Sequence, residues 1–297
     1  MTERKALSAF SFGANQFILS PEMSNTVISC VFDETHVTGL MNNVSTSAGS
    51  LKFLVDNARM QESAWSCDVN CFANNPQADL AQGLGEMEIK AETLRHIVCA
   101  SSDLIQDASF NIESWVLQKV SQGFRATINA AVVAGDGFQK PMGILNPAAR
   151  VPIYETSAAT APGLLTWQDL ISLKWAVPVQ YHSQGGAYLL NQRTFAQILT
   201  MSDANSRPIM IASPTESGQM LINGSPVVIA TMMPDVLPGS TPVAFGGWKA
   251  AYTVVTRKAT TMLIDPYSSG FCTQFRFEAR VGGAVTCPSA AALLRIR

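Results

Sequence analysis

Charge is what this sequence has least of: Asp, Glu, Lys and Arg together make up 14% of its 297 residues, against roughly 25% in an ordinary soluble protein. Hydrophobic residues, at 47%, are in normal proportion. A surface so poor in charge implies that other polypeptides cover much of it. The net charge is −2 and no long Lys or Arg run occurs. That excludes a protein built to grip nucleic acid through its phosphates and leaves only weak, non-specific contact with DNA. No apolar run approaches the roughly 20 residues of a membrane helix, and Arg4 and Lys5 are not followed by the continuous apolar stretch of a secretory signal. The six cysteines, Cys30, Cys67, Cys71, Cys99, Cys272 and Cys287, are scattered rather than packed into a short framework. Reduced thiols in a cytosolic product are the expectation.

Signatures of chemistry are equally scarce. No G-x-S-x-G elbow accompanies the three histidines, His36, His96 and His182. Gly83-Leu84-Gly85 and Gly135-Asp136-Gly137 begin like phosphate loops, but neither continues to a third Gly or to G-K-[ST]. Cys67, Cys71, His96 and Cys99 are four soft ligands whose C-x3-C and H-x2-C spacing matches no common zinc pattern. Small buried or interface cysteines are the plainer reading. Glu86 and Glu88 share one strand face and read as solvated hairpin charges. No catalytic residue, cofactor or metal is expected.

What the chain does contain is a sequence of distinct segments. At 297 residues it exceeds what one core usually organises. Residues 1–50 are rich in Ser, Thr and Asn and read as an arm and lead-in segment with little core of its own. Leu51 to Val55 reads as a strand. Between it and Glu86-Met87-Glu88-Ile89-Lys90 lie about thirty polar residues, too many for an ordinary connection. Within them Trp65, Cys67, Val69 and Cys71 alternate with polar residues, and Asn74-Asn75-Pro76 supplies a turn. This predicts a long hairpin projecting over 57–88, whose edges need another subunit to cover them. Its candidate assembly residues are Trp65, Val69, Phe72 and Pro76.

A long helix is predicted from about Ser109 to Ala134, capped by Ser109 or Asn111 and stopped by Gly135-Asp136-Gly137. Its expected core row is Trp115, Val120, Phe124 and Ile128. Further on, Thr166 caps a helix over Trp167 to Val177, Ala187 to Leu190 reads as a strand, and Arg193 to Met201 as another helix. Asn223-Gly224 joins two strands in a hairpin, Val243 to Val255 reads as strand, and Phe271, Phe275, Phe277, Ala279 and Val281 line one face of a long amphipathic strand. The class is α+β.

The helix and its exit carry the most specific pattern: Leu104-Ile105-Gln106-Asp107-Ala108, then Ile112-Glu113, then Gly135-Asp136-Gly137-Phe138-Gln139-Lys140-Pro141-Met142-Gly143-Ile144-Leu145. Here the chain resembles the major capsid proteins of tailed bacteriophages and prophages with the Hong Kong 97 fold, and the order of segments agrees over nearly the whole length. The resemblance implies an N-terminal arm over 1–50, an extended β-hairpin loop over 57–88, and a peripheral domain of 51–56, 89–165 and 265–297 holding the long spine helix. It also implies an axial domain over 166–264. Self-assembly into hexamers and pentamers of an icosahedral virion shell around double-stranded DNA is implied too, with portal and scaffolding proteins as partners.

Relatives that weld their shells covalently resemble one another in a loop Lys, a peripheral Asn and an assisting Glu. This chain has no Lys between Lys52 and Lys90 and no Asn after Asn223, so Glu278 alone makes no such bond. Relatives often carry a scaffolding segment ahead of the arm, and this chain begins almost at the arm. Two rival readings are an encapsulin-type compartment shell, which shares the fold, and a soluble hydrolase with an unmarked site.

Overall fold

The computed structural model describes residues 37–56, 84–101, 105, 111–157, 163–201, 221–270 and 272–297. The arm ahead of residue 37 and the hairpin tip, with Trp65, Val69, Phe72 and Pro76, lie outside the described residues, as do Ser109 and Phe271. The described elements form an α+β architecture in which two sheets share a core.

The first sheet has four strands in the order β1-β10-β11-β4: Asn42–Ser45, Tyr252–Asp265, Cys272–Val285 and Glu92–Ser101. β10 and β11 form a long antiparallel pair, and β4 continues the ladder with Gln274 opposite Cys99 and Glu278 opposite Arg95. Strand alternation turns Phe275, Phe277 and Ala279 to one face, where all three are buried. Against that face packs α1, Ile112–Ala134. The helix starts because the Asn111 side chain accepts a hydrogen bond from the Ser114 N–H at 3.1 Å, and Glu113 faces the positive end of the helix dipole. Its 23 residues make it about 34 Å long.

Ile112, Val116, Val120 and Phe124, each four apart, are its buried row against Phe275 and Phe277. Ile128 packs instead with Val132 and Val133 in the core that the two sheets share. Trp115, expected in the buried row, is 38% exposed. At 100° per residue it sits roughly a third of a turn from the middle of that row, beyond the edge of the sheet contact.

The exit of α1 accounts for its sequence pattern. Gly143, Ile144 and Leu145 return along the helix end and donate their N–H groups to the carbonyls of Gly135, Val132 and Val133 at 2.9, 2.9 and 3.0 Å. Those carbonyls have no partner within the helix. The return runs so close that a Cβ on Gly143 would collide with the Gly135 nitrogen, and one on Gly135 with the Pro141 carbonyl. Met142 then ties the exit to the sheet through Gly283 O and Tyr252 Oη.

The second sheet has six strands in the order β5-β12-β9-β6-β8-β7: Ile153–Glu155, Ala291–Arg295, Val243–Gly247, Gly186–Leu190, Ser225–Ile229 and Leu221–Ile222. Two helices, α2 (Trp167–Ala176) and α3 (Gln192–Leu199), bury Leu170, Leu173, Phe195 and Ile198 against Tyr188, Phe245 and Leu294. Thr166 caps α2 in a reciprocal box with Asp169. The β7–β8 hairpin turns at Asn223 and Gly224, both with positive φ, 49° and 72°.

Val243 to Val255 is not one strand. A single helical turn, α4 (Trp248–Ala251), interrupts it, because Trp248 turns inward to donate its indole N–H to Ala187 O at 2.8 Å. That turn carries the chain from the second sheet into the first. β10 up to Asp265 ladders with the spine-helix sheet, and β5 and β12 join the second sheet.

Candidate assembly interface

β2 (Ser50–Asp56) and β3 (Leu84–Lys90) pair with each other as an isolated two-stranded sheet. Alternation gives them two unlike faces. Leu51, Phe53, Met87 and Ile89 pack onto Val255 and Ala284 of the first sheet, and Gly282 allows this approach, since a Cβ there would strike Lys90 O. The other face holds the Lys52–Glu86 ion pair, at 3.1 Å and largely in solvent, beside Leu54, which is 74% exposed. Two strands alone are marginal in water. The stem is seated through one face, and its outward face is charged with Leu54 as its exposed apolar residue.

A second surface lies along the spine helix. Leu94, His96 and Val98 on β4 face Trp115, Val116 and Phe124 across an open groove of about 410 Å³. Trp115 forms its wall, which explains why a tryptophan stands at an exposed helix position. The opposite face of the same sheet is polar, with Arg95–Glu278, Lys258–Glu278 and Arg276–Asp265 pairs at 3.5, 2.8 and 2.9 Å. The hydrogen bond from Lys258 holds the Glu278 carboxyl below its ordinary value, helped by the charges of Lys258 and Arg95. Hydrogen bonds from the Ser268 hydroxyl and backbone do the same for Asp265.

Three further aromatics stand in solvent at separate corners: Phe138 after the helix exit, Trp175 in α2 and Tyr267 in the β10–β11 turn, 75%, 62% and 94% exposed. Exposed large aromatics of this kind are unusual on a surface that stays in water.

Among the described residues, the histidines and cysteines are not assembled into a site, and His36, Cys67 and Cys71 lie outside the described residues. His96 and Cys99, three apart on β4, point to opposite faces. Cys99 is joined to Cys272 in a disulfide in this structure, where the sequence led to an expectation of reduced thiols. Adjacent strands place them in reach, Cα to Cα 5.8 Å; the pairing of β4 with β11, which decides this, is invisible in the one-dimensional spacing. His182 hydrogen-bonds through Nε2 with the carbonyls of Lys174 and Val177 and packs edge-on to Phe245, a role in ending α2. Among the described residues no group of His, Cys, Asp or Glu has the arrangement of a metal site, and no helix is long and apolar enough to cross a membrane.

Residues 15–296 match the phage capsid family. The chain belongs to the phage capsid family. It is a structural capsid subunit and not an enzyme. Among solved structures, the capsid of a native GTA particle is 25% identical over 95% of this chain and 96% of its own, with a TM-score of 0.81. A solved chain of Microbacterium phage Oxtober96, 16% identical over 95% of this chain and 97% of its own, gives 0.68, and one of Mycobacterium phage Adephagia, 12% identical over 95% and 96%, gives 0.67. The encapsulin SrpI of Synechococcus elongatus PCC 7942 shares the fold at 11% identity, covering 94% and 93%, with a TM-score of 0.66. No curated protein sequence matches the chain. Membership places the capsid subunit in the virion.

Proposed function

We propose that this capsid subunit is made in the host cytoplasm and closes into the hexamers and pentamers of an icosahedral shell around double-stranded DNA. Each hairpin over 57–88 reaches across a neighbouring subunit, and Trp65, Val69, Phe72 and Pro76 are its contact residues. The observation that carries this reading is the hairpin stem: a two-stranded sheet seated through its apolar face on the first sheet, with Leu54 exposed among the charges of its outer face and no further partner strand among the described residues. The groove beside Trp115 is the complementary apolar surface on the neighbour. In this reading the spine-helix sheet forms the peripheral part of the subunit and the six-stranded sheet the axial part. The arm runs beneath the adjoining body. Portal and scaffolding proteins complete the assembly.

Contact with the packaged genome is weak and non-specific, because a net charge of −2 supplies no basic stripe. Deleting residues 57–83 from the full chain tests the reading. Electron micrographs should then show dispersed subunits or small rings, and normal closed shells from the deletion would overturn it. The fold shared with an encapsulin makes cargo the discriminating observation between a genome shell and a protein compartment: nuclease-protected DNA in purified particles supports the first, a co-purifying enzyme the second.

A further inference from the structure

We infer that the Cys99–Cys272 pair is a post-assembly cross-link, open as two thiols while the shell is built and closed after the particle leaves the cell. The inference rests on the reading of the chain as a virion shell subunit. The pair bridges β4 and β11 on the face away from the spine helix, where alternation turns Cys99, Arg95 and Glu278 together. Cys99 is exposed and Cys272 half-buried, with its Sγ 3.3 Å from the Ser269 hydroxyl, so soluble thiols and disulfides reach both sulfurs. It sits at the last rungs of the β4–β11 ladder, one residue from Ala100, which packs with Ile112, Val116 and Phe275 at the start of the spine helix. A bond there pins the sheet end on which the helix begins. It also ties residues 173 apart in sequence, and long closures restrict the unfolded chain most.

The compartment sets the order of events. The cytosol keeps exposed thiols reduced, whereas virion surfaces outside the cell oxidise them. The closing reaction is exchange with a low-molecular-weight disulfide. The Cys99 thiolate attacks that disulfide and expels one small thiolate, which takes up the proton Cys99 gave; the Cys272 thiolate then attacks Cys99 Sγ and expels the second, which takes up the Cys272 proton. Two S–H bonds are lost, one S–S bond forms, and one small disulfide is reduced to two thiols. Cys287, half-buried and 106 residues from Tyr181, whose hydroxyl lies 3.7 Å away, takes no part.

The experiment uses full-length particles, alkylated with N-ethylmaleimide either at cell lysis or after release and incubation with oxidised glutathione, followed by peptide mass mapping. Micrographs are taken of the same samples. The expected result is an adduct on both cysteines at lysis and a dithiothreitol-sensitive Cys99–Cys272 peptide after release. Reduction should lower the particle's melting midpoint by roughly 5–10 °C, and the Cys99→Ser, Cys272→Ser double variant should melt like the reduced wild type with no response to reductant. Intact shells whose released form carries adducts on both cysteines would overturn the cross-link alone, as would a linked peptide already complete at lysis. Absence of shells would overturn the assembly reading instead.

Discussion

Phe124 stands in the middle of the row that seats the spine helix on Phe275 and Phe277, and it is 5% exposed. Phe124→Ala should lower the stability of the subunit by roughly 3–5 kcal/mol, the usual result of emptying a buried aromatic site. A loss below about 1 kcal/mol in a denaturant melt would show that this face is not core. Trp115→Ala, on the groove wall, should leave the subunit's own melt nearly unchanged while reducing the yield of shells. Glu278 has a different signature. Its carboxyl is held below the ordinary value by Lys258 and Arg95, so its contribution is present above the ordinary carboxylate pKa and is lost as pH falls through the lower folded value. The melting difference between wild type and Glu278→Gln should therefore be present near pH 7 and shrink as the pH falls below the ordinary carboxylate range. A difference that grows on acidification would contradict the assigned ion pairs.

At the scale of the element, Gly143 couples two structures, since its backbone closes the end of the spine helix against Gly135. Gly143→Ala should weaken the fold by about 1–3 kcal/mol or more, as forced overpacking does, read as a lower melting temperature of the full chain; an unchanged melt would mean that the exit does not cap the helix. Elements of this kind were legible in the sequence because their signals are local. Asn111 and Thr166 announce helix starts, Gly135 a stop and Asn223-Gly224 a hairpin, and the alternating Phe275, Phe277 and Ala279 declare a half-buried strand. What stayed hidden depends on pairing between distant segments. Trp115 looked like core because periodicity gives a helix face without saying how wide the opposing sheet is. Val243 to Val255 read as one strand because nothing local says that Trp248 must reach Ala187. Cys99 and Cys272 became partners only through the β4–β11 register.

Across the whole molecule, anchored hairpin stem, apolar helix groove and exposed corner aromatics describe a subunit completed by its neighbours. Without the loop Lys and the late Asn, the predicted cohesion comes from many modest contacts multiplied by closure of the shell. Particles boiled in detergent with reductant should accordingly return a single band near 31.9 kDa, and a ladder of multimers surviving both treatments would reveal a covalent weld. The most direct test is electron microscopy of the purified full-length protein over a range of concentrations. Closed shells of uniform diameter, built from rings of five and six subunits, are the predicted result; a protein that stays monomeric at every concentration, with the hairpin folded back onto its own groove, would contradict the account.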